Sequence, residues 1–400
     1  MTDTSNMVSG MTKELDQILR YWQTKMVDNE FGGFHGQRNH FDTLVPQASK
    51  GCVLNARILW TFLAAYRFTQ NAGYLQTATR AYDYLVKYFW DKQHGGLFWE
   101  LDHTGAHLNT RKQIYAQGFG IYGLSEYYRA TGNTFALNKA IELFRLVEQH
   151  SYDPGNGGYI EALARDWSPL EDMRLSPKDA NEPKSMNTHL HILEPYTSLL
   201  RIWPDDGLKQ KIASLIHVFL HKIVDGKTAH FNLFFGMDWE VRSKIVSYGH
   251  DIEGAWLLSE AAHVLGYEPL VTEVEATAKR MVDAVMAEGT DTDGAVFYEK
   301  NLARDHLDTD KHWWPQAETM VGLAWMWRQT GNDVYLQRMA KTWDFIQHHL
   351  IDKEHGEWFW RVGEQNRPIT SEDKAGFWKC PYHNSRALME VMEVLRREGC

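Results

Sequence analysis

"YAQGFGIYGLSEYYRATGNTFALNKAIELF", residues 115–144, reads as two helices of different character joined by a turn. The first half is apolar on every side, which describes a helix buried all round. The second half carries a charged stripe, which describes a helix that covers it. Between them sits Thr-Gly-Asn, and Gly and Asn accept the left-handed conformation that ends a helix. The stretch is therefore a helical hairpin with an inner and an outer member. "RFTQNAGYLQTA" (67–78) and "RQTGNDVYLQRMA" (328–340) repeat the joint. "VLNARILWTFLAAY" (53–66), "HILEPYTSLLRIW" (191–203), "IEGAWLLSEAAHVL" (252–265), "AETMVGLAWMW" (317–327) and "NSRALMEVMEVL" (384–395) repeat the inner helix.

A second motif marks the period. "EFGGFHG" (30–36), "HGGLFWE" (94–100), "GNGGYIE" (155–161), "TDGAVFYE" (292–299) and "HGEWFWR" (355–361) recur, with a degenerate copy "TAHFNLFF" at 228–235. Their centres are about 62 residues apart, with one wider gap of about 73. Each reads as a glycine turn followed by a short aromatic or β-branched strand, and a fixed period of this length signals repeated supersecondary units. Six inner and six outer helices in alternation predict an all-α fold: an (α/α)6 barrel of six helical hairpins, with short β-strands in the loops at one end. The first outer helix is expected over Met11–Met26, and the last inner helix near His383. No Pro-, Gly- or Ser-rich linker interrupts the pattern, so residues 1–400 are expected to form one domain.

Composition narrows the function. The net charge of -10 argues against nucleic acid. No apolar run reaches the ~18 residues of a membrane span, and no signal-peptide pattern opens the chain. Cys52, Cys380 and Cys400 form no CxxC or metal-like cluster, which fits a reducing, cytoplasmic setting. Aromatic residues make up 13% of the chain. Most are expected in the core, and some in a cleft for sugar rings, whose C–H faces pack on aromatics.

Polar residues open every inner helix: Asn55 and Arg57; Tyr115 and Gln117; Asn187, His189 and His191; His250 and Glu253; Gln316 and Glu318; His383, Asn384 and Arg386. In a hairpin barrel the inner helices run the same way, so these six starts meet at one end. Phe119, Trp256, Trp313, Trp314 and Trp378 join them there. Helix N-termini favour an anion and keep nearby histidines neutral, and so able to act as bases near pH 7. Three chemistries fit such a cleft. His189, His191, His250 and His383 are metal-ligand types, but no HExxH or other metal spacing occurs. Glu253 and Glu318 are the types an inverting glycosidase needs. His250, His383, His191 and Arg57 are the types for proton transfer next to a sugar carbonyl, which needs a near-neutral base, a second acid/base and cationic donors for the enediolate oxygens.

"SMNTHLHILEPY" (185–196), "SYGHDIEGAWLL" (247–258), "DTDKHWWPQAE" (308–318) and "FWKCPYHNSRAL" (377–388) resemble signature stretches of the N-acylglucosamine 2-epimerase superfamily, and within it of the cellobiose 2-epimerases. The resemblance runs from "NARILWTF" to "HNSRA". It implies reversible inversion at C2 of the reducing-end glucose of β-1,4 disaccharides: cellobiose to glucosyl-mannose, lactose to epilactose. It implies no metal and no other cofactor, and a small-molecule sugar as partner for a monomer or weak homodimer. His250 and His383 match the general acid/base pair, with proton transfer running through a cis-enediolate. Arg57 and His191 match the residues that hold O1 and O2, and Glu253 matches the carboxylate that orients His250. Asn187 and Tyr115 match hydroxyl contacts, Trp314 and Trp378 the aromatic platforms, Glu318 a further polar contact and Asp179 a loop over the cleft. Related members act on free mannose or glucose, so a mannose 2-epimerase or mannose isomerase is the alternative within the fold. Cys380, Ser385 and Pro195 depart from the pattern and are expected to alter cleft shape.

Overall fold

The computed structural model describes residues 4–397; Cys400 lies outside the described residues. Among the described residues twelve α-helices alternate between two rings. The inner ring is α2 (Cys52–Thr69), α4 (Ile114–Thr131), α6 (Met186–Leu200), α8 (Tyr248–Leu265), α10 (Trp313–Thr330) and α12 (Tyr382–Arg397). The outer ring is α1 (Thr4–Lys25), α3 (Ala72–Tyr84), α5 (Thr134–His150), α7 (Asp206–Val218), α9 (Glu268–Glu288) and α11 (Asp333–Phe345). Each inner helix packs on the next, and α12 packs on both α10 and α2, so the ring closes. The all-α hairpin-barrel expectation holds.

The inner helices are buried nearly all round. Every residue of α2 from Cys52 to Ala65 is buried, as is every residue of α4 from Ile114 to Tyr127. The outer helices bury a single stripe, for example Leu208, Ile212, Leu215 and Ile216 of α7 at helical spacing. Two local expectations need correction. Among the described residues the first helix is Thr4–Lys25 and extends N-terminal of Met11, because Met7 lies one turn earlier on the same buried face as Met11 and Leu15. In the first hairpin no glycine ends the inner helix: Gln70 takes the left-handed position with φ 62°, where Gly132 and Gly331 do so in the repeats. The asparagines of these joints cap the outer helices instead. Asn71, Asn133 and Asn332 each accept a backbone N–H of the following first turn.

Short antiparallel strands stitch the rim where the inner helices begin. Lys50–Gly51 pairs with Glu100–Leu101, Lys112–Gln113 with Ala162–Leu163, and Lys184–Ser185 with Phe234–Phe235. Ile245–Ser247 then pairs with Glu299–Asn301, and Lys311–His312 with Arg361–Val362. In every case the segment leading into an inner helix pairs with the next loop. A bridge between Arg38 and Ala375 joins the first loop to the last. Beneath the rim, buried lysines anchor these strands: Lys50 to Asp28 at 2.7 Å, Lys112 to Asp91 at 3.0 Å and Lys184 to Asp153 at 2.7 Å. Among the described residues no helix is long and apolar enough to cross a membrane.

Candidate active site

The polar starts of the inner helices divide by register. The fourth residue of each does not face the cleft. Gln117 brackets Leu97, accepting its N–H at 2.7 Å and donating to its carbonyl at 2.9 Å. Gln316 brackets Val296 in the same way. His189 Nε2 accepts from Tyr159 N–H at 2.8 Å, and Asp251 accepts from Phe231 N–H at 2.7 Å. These side chains hold the repeated glycine turns, so His189 and Gln316 are structural. The second and sixth residues, four apart and on one helix face, turn inward. At the second stand Tyr115, Asn187, Trp314 and His383; at the sixth, Arg57, Phe119, His191, Glu253 and Glu318.

Most of them, with His250 at the third position of α8, meet at a cavity of about 380 Å³, and Phe119 and Glu318 lie behind its wall. Arg57, Tyr115, Asn187, His191, His250, Glu253 and His383 line it, with Trp313, Trp314, Trp360 and Trp378 as apolar walls. The loop carrying Leu175–Asp179 forms part of its lining. Trp314 contacts both histidines, its ring centroid 4.6 Å from that of His250 and 5.8 Å from that of His383. Its approach depends on Gly249, where a Cβ would sit 2.7 Å from the indole.

Each of three histidines gives Nδ1 to a protein partner. His383 Nδ1 is 2.6 Å from Glu318, His191 Nδ1 is 2.9 Å from Glu194, and His250 Nδ1 is 2.7 Å from Ser247 Oγ. Their Nε2 atoms take no protein partner among the described residues. Burial lowers all three rings below the usual histidine range. His250 falls to about 3, with the His191 charge adding to burial. His383 falls well below, helped by the Arg57 and Arg386 charges. For His191 the bond to Glu194 opposes burial without reversing it. Desolvation is thus the largest cause of their lowered values.

Under the cavity Arg386 ties three carboxylates together. Its guanidinium donates to Glu253 at 2.8 Å and Glu318 at 2.7 Å, and also bonds Glu194 and Tyr382. Arg386 and its neighbours hold Glu194 at about 2 against the opposing effect of burial. Glu253 is raised well above the ordinary range by burial and by the Glu318 charge. Arg57 is buried against the rings of Phe119 and Tyr382, 4.2 and 4.9 Å away, and donates to Tyr115 Oη at 2.7 Å. A cation is thereby fixed at the cleft wall.

Four expected roles are corrected by this geometry. Glu253 is not the partner of His250: it bonds Arg386 and lies 3.9 Å from His383 Nδ1. Glu318 does not line the cavity but stands behind His383. Trp256 does not pack beside the cavity, since its indole N–H donates to Glu318 at 3.0 Å from below. Phe119 lies beneath Arg57, off the cavity wall. Cys380, Ser385 and Pro195 are buried and none lines the cavity, so they change packing below it rather than its wall. Sequence reasoning missed Glu194, three residues after His191 and so on its helix face. It also missed Ser247, Tyr298 and His312; the last two stack 3.8 Å apart at the cavity.

Glu253, Glu318 and His383 offer donor atoms within 4.8 Å of one another, the one such trio found among the described residues. Arg386 already fills the space between the two glutamates, so the trio works as an ion-pair network. The same closeness disfavours an inverting glycosidase, whose carboxyls stand about 6.5–9.5 Å apart across the scissile bond.

Neutral histidines, a buried cation and aromatic walls thus share one cleft, and proteins similar to this chain are carbohydrate epimerases, enzymes of the isomerase class. Residues 32–387 match the N-acylglucosamine 2-epimerase (GlcNAc 2-epimerase) family. The chain is 51% identical to a cellobiose 2-epimerase of Bacteroides fragilis, over 96% of this chain and 97% of that one. It is 35% identical to a cellobiose 2-epimerase of Dictyoglomus turgidum, over 94% and 96%. The solved cellobiose 2-epimerase of Bacillus thermoamylovorans superposes with a TM-score of 0.93 at 36% identity, covering 97% of this chain and 99% of that one. The chain belongs to the N-acylglucosamine 2-epimerase family.

Proposed function

We propose that this enzyme reversibly inverts C2 of the reducing-end glucose of β-1,4-linked disaccharides, taking cellobiose to glucosyl-mannose and lactose to epilactose. The observation that carries the reading is the pair His250 and His383. Both contact Trp314 and line one cavity, with Nδ1 of each bonded and Nε2 of each without a protein partner among the described residues. After the sugar ring opens, one Nε2 removes the C2 proton. The electron pair moves into a cis-enediolate, whose oxygens face the Arg57 guanidinium and His191. The other histidine returns a proton to the opposite face after rotation about C2–C3. The chemistry needs a base whose pKa lies near or below working pH and preorganised donors where negative charge develops; neutral histidines and a buried arginine are such groups. The carboxylate behind His383 suits it to become an imidazolium. Glu253 and Glu318 bear on the reaction through Arg386 and His383.

The relatives named cellobiose 2-epimerase support a disaccharide substrate, and four tryptophans around the cavity suit two stacked rings. Purified protein incubated with lactose, cellobiose or free mannose tests the assignment by product analysis. Epilactose and glucosyl-mannose are expected. Free monosaccharides from the disaccharides would indicate hydrolysis, and turnover of mannose alone would indicate the monosaccharide-acting branch.

A further inference from the structure

Two serines precede inner helices at the same register, and they behave differently. Ser185 before α6 caps its helix, its Oγ accepting from Thr188 N–H at 3.1 Å. Ser247 before α8 makes no cap bond. Its hydroxyl lies 2.7 Å from His250 Nδ1 instead. Leaving an N-cap bond unmade makes the helix less stable than a capped one. Local helix formation therefore does not account for where this hydroxyl points; the histidine does. The serine is well placed to aim a ring. It is buried, and its backbone is paired with Glu299 in the rim sheet.

The partner's chemistry is also distinctive. His191 and His383 each face a carboxylate through Nδ1, at 2.9 and 2.6 Å. His250 faces a neutral hydroxyl. A carboxylate both orients an imidazole and stabilises its cation, whereas a hydroxyl orients it with little stabilisation of the cation. The two histidines that contact Trp314 are thus unequal: one is backed by charge and one by a dipole.

We propose that Ser247 is a positioning residue for the reaction: its hydroxyl accepts the His250 Nδ1 proton, so that Nε2 is the nitrogen that exchanges a proton with C2 of the sugar. This rests on the reading of His250 as an acid/base group. When His250 removes the C2 proton, Nε2 takes it and both ring nitrogens carry hydrogen. When it returns a proton, Nε2 loses it and the Nδ1–H···Oγ bond persists throughout. Without the hydroxyl the ring rotates more freely and its proton can reside on Nε2, where it blocks the base role.

The test uses solvent exchange, because removing the C2 proton needs one histidine while inversion needs both. Each epimer is incubated separately in D2O, and wash-in at C2 is followed by NMR together with epimerisation. His250→Ala first identifies which epimer depends on His250 for wash-in. Ser247→Ala is then expected to slow that half-reaction by on the order of 10- to 100-fold, the range seen when the outer partner of a metal-ligating histidine is removed. The other half-reaction and KM are expected to change little. Ser247→Thr, which keeps the hydroxyl, is expected to retain most of the rate. Equal losses in both half-reactions, or a Ser247→Ala enzyme as fast as the parent, would overturn the proposal while leaving the histidine assignment standing. An active His250→Ala enzyme would overturn that assignment instead.

Discussion

Replacing Arg386 by Met tests whether one guanidinium holds the floor of the cleft together. Arg386 is 1% exposed and bonds Glu194, Glu253, Glu318 and Tyr382. Removing one partner of a buried ion pair costs about 3–5 kcal/mol, because the remaining charge is left uncompensated. Here three carboxylates lose the same cation, which places the expected loss toward the upper end. Protonation of the glutamates limits it, since burial already raises Glu253 and Glu318. The pH dependence has a definite sign. A carboxyl raised in the fold binds more protons folded than unfolded, so its contribution to stability falls as pH rises above the ordinary glutamate value of 4.5. Methionine at 386 removes the group that opposes this rise and that holds Glu194 low. The deficit, read from urea midpoints, is therefore expected to be smaller at pH 5 than at pH 8. A deficit below about 1 kcal/mol, in the range of an exposed salt bridge, or one that does not change with pH, would refute the reasoning.

Other outcomes follow from the same geometry. Glu318→Gln keeps a side chain of the same shape behind His383 but removes the charge; losing a charge-assisted bond of roughly 1.5–3 kcal/mol predicts a kcat lower by about 10- to 100-fold with KM little changed. Gly249→Ala places a Cβ 2.7 Å from the Trp314 ring, so it is expected to displace that indole and raise KM, as steady-state kinetics would register. His312 is held at about 3, mainly by burial. Between that value and 6.5 the unfolded chain takes up a proton the folded one refuses, so His312 subtracts roughly 1.4 kcal/mol of stability per pH unit as pH falls through this window. His312→Phe, which keeps a ring stacked on Tyr298, is expected to flatten that part of the acid-denaturation curve. Lys50→Met strands Asp28 beneath the rim and is expected to cost about 3–5 kcal/mol in chemical denaturation. Pairing it with Asp28→Leu should recover much of the loss.

The barrel was legible because its two helix types differ in the amount of apolar surface, a property written along one dimension. Residues 115–144 suffice to define a hairpin, and the glycine turns define how often it recurs. Local context misled at two places: Met7 extends the first helix, and Gln70 stands where glycine was expected. The cleft was legible only in part. Spacing identifies which polar residues open the inner helices, but not which of them face inward. His189 and Gln316 look like site residues until the structure shows them holding Tyr159 and Val296. The floor network was hidden because its bonds span the chain. Arg386 reaches Glu194 across 192 positions and Glu318 across 68. Ser247 was overlooked for the opposite reason: a serine before a helix reads as an ordinary cap, and only the missing cap bond reveals its other partner.

The central claim is that C2 loses its proton to a histidine and regains one from solvent-exchanged nitrogen on the other face. Converting lactose in D2O and locating the label by NMR tests it most directly. The account predicts epilactose carrying solvent deuterium at C2, and none at C3. Epilactose that retains its original C2 hydrogen would contradict it.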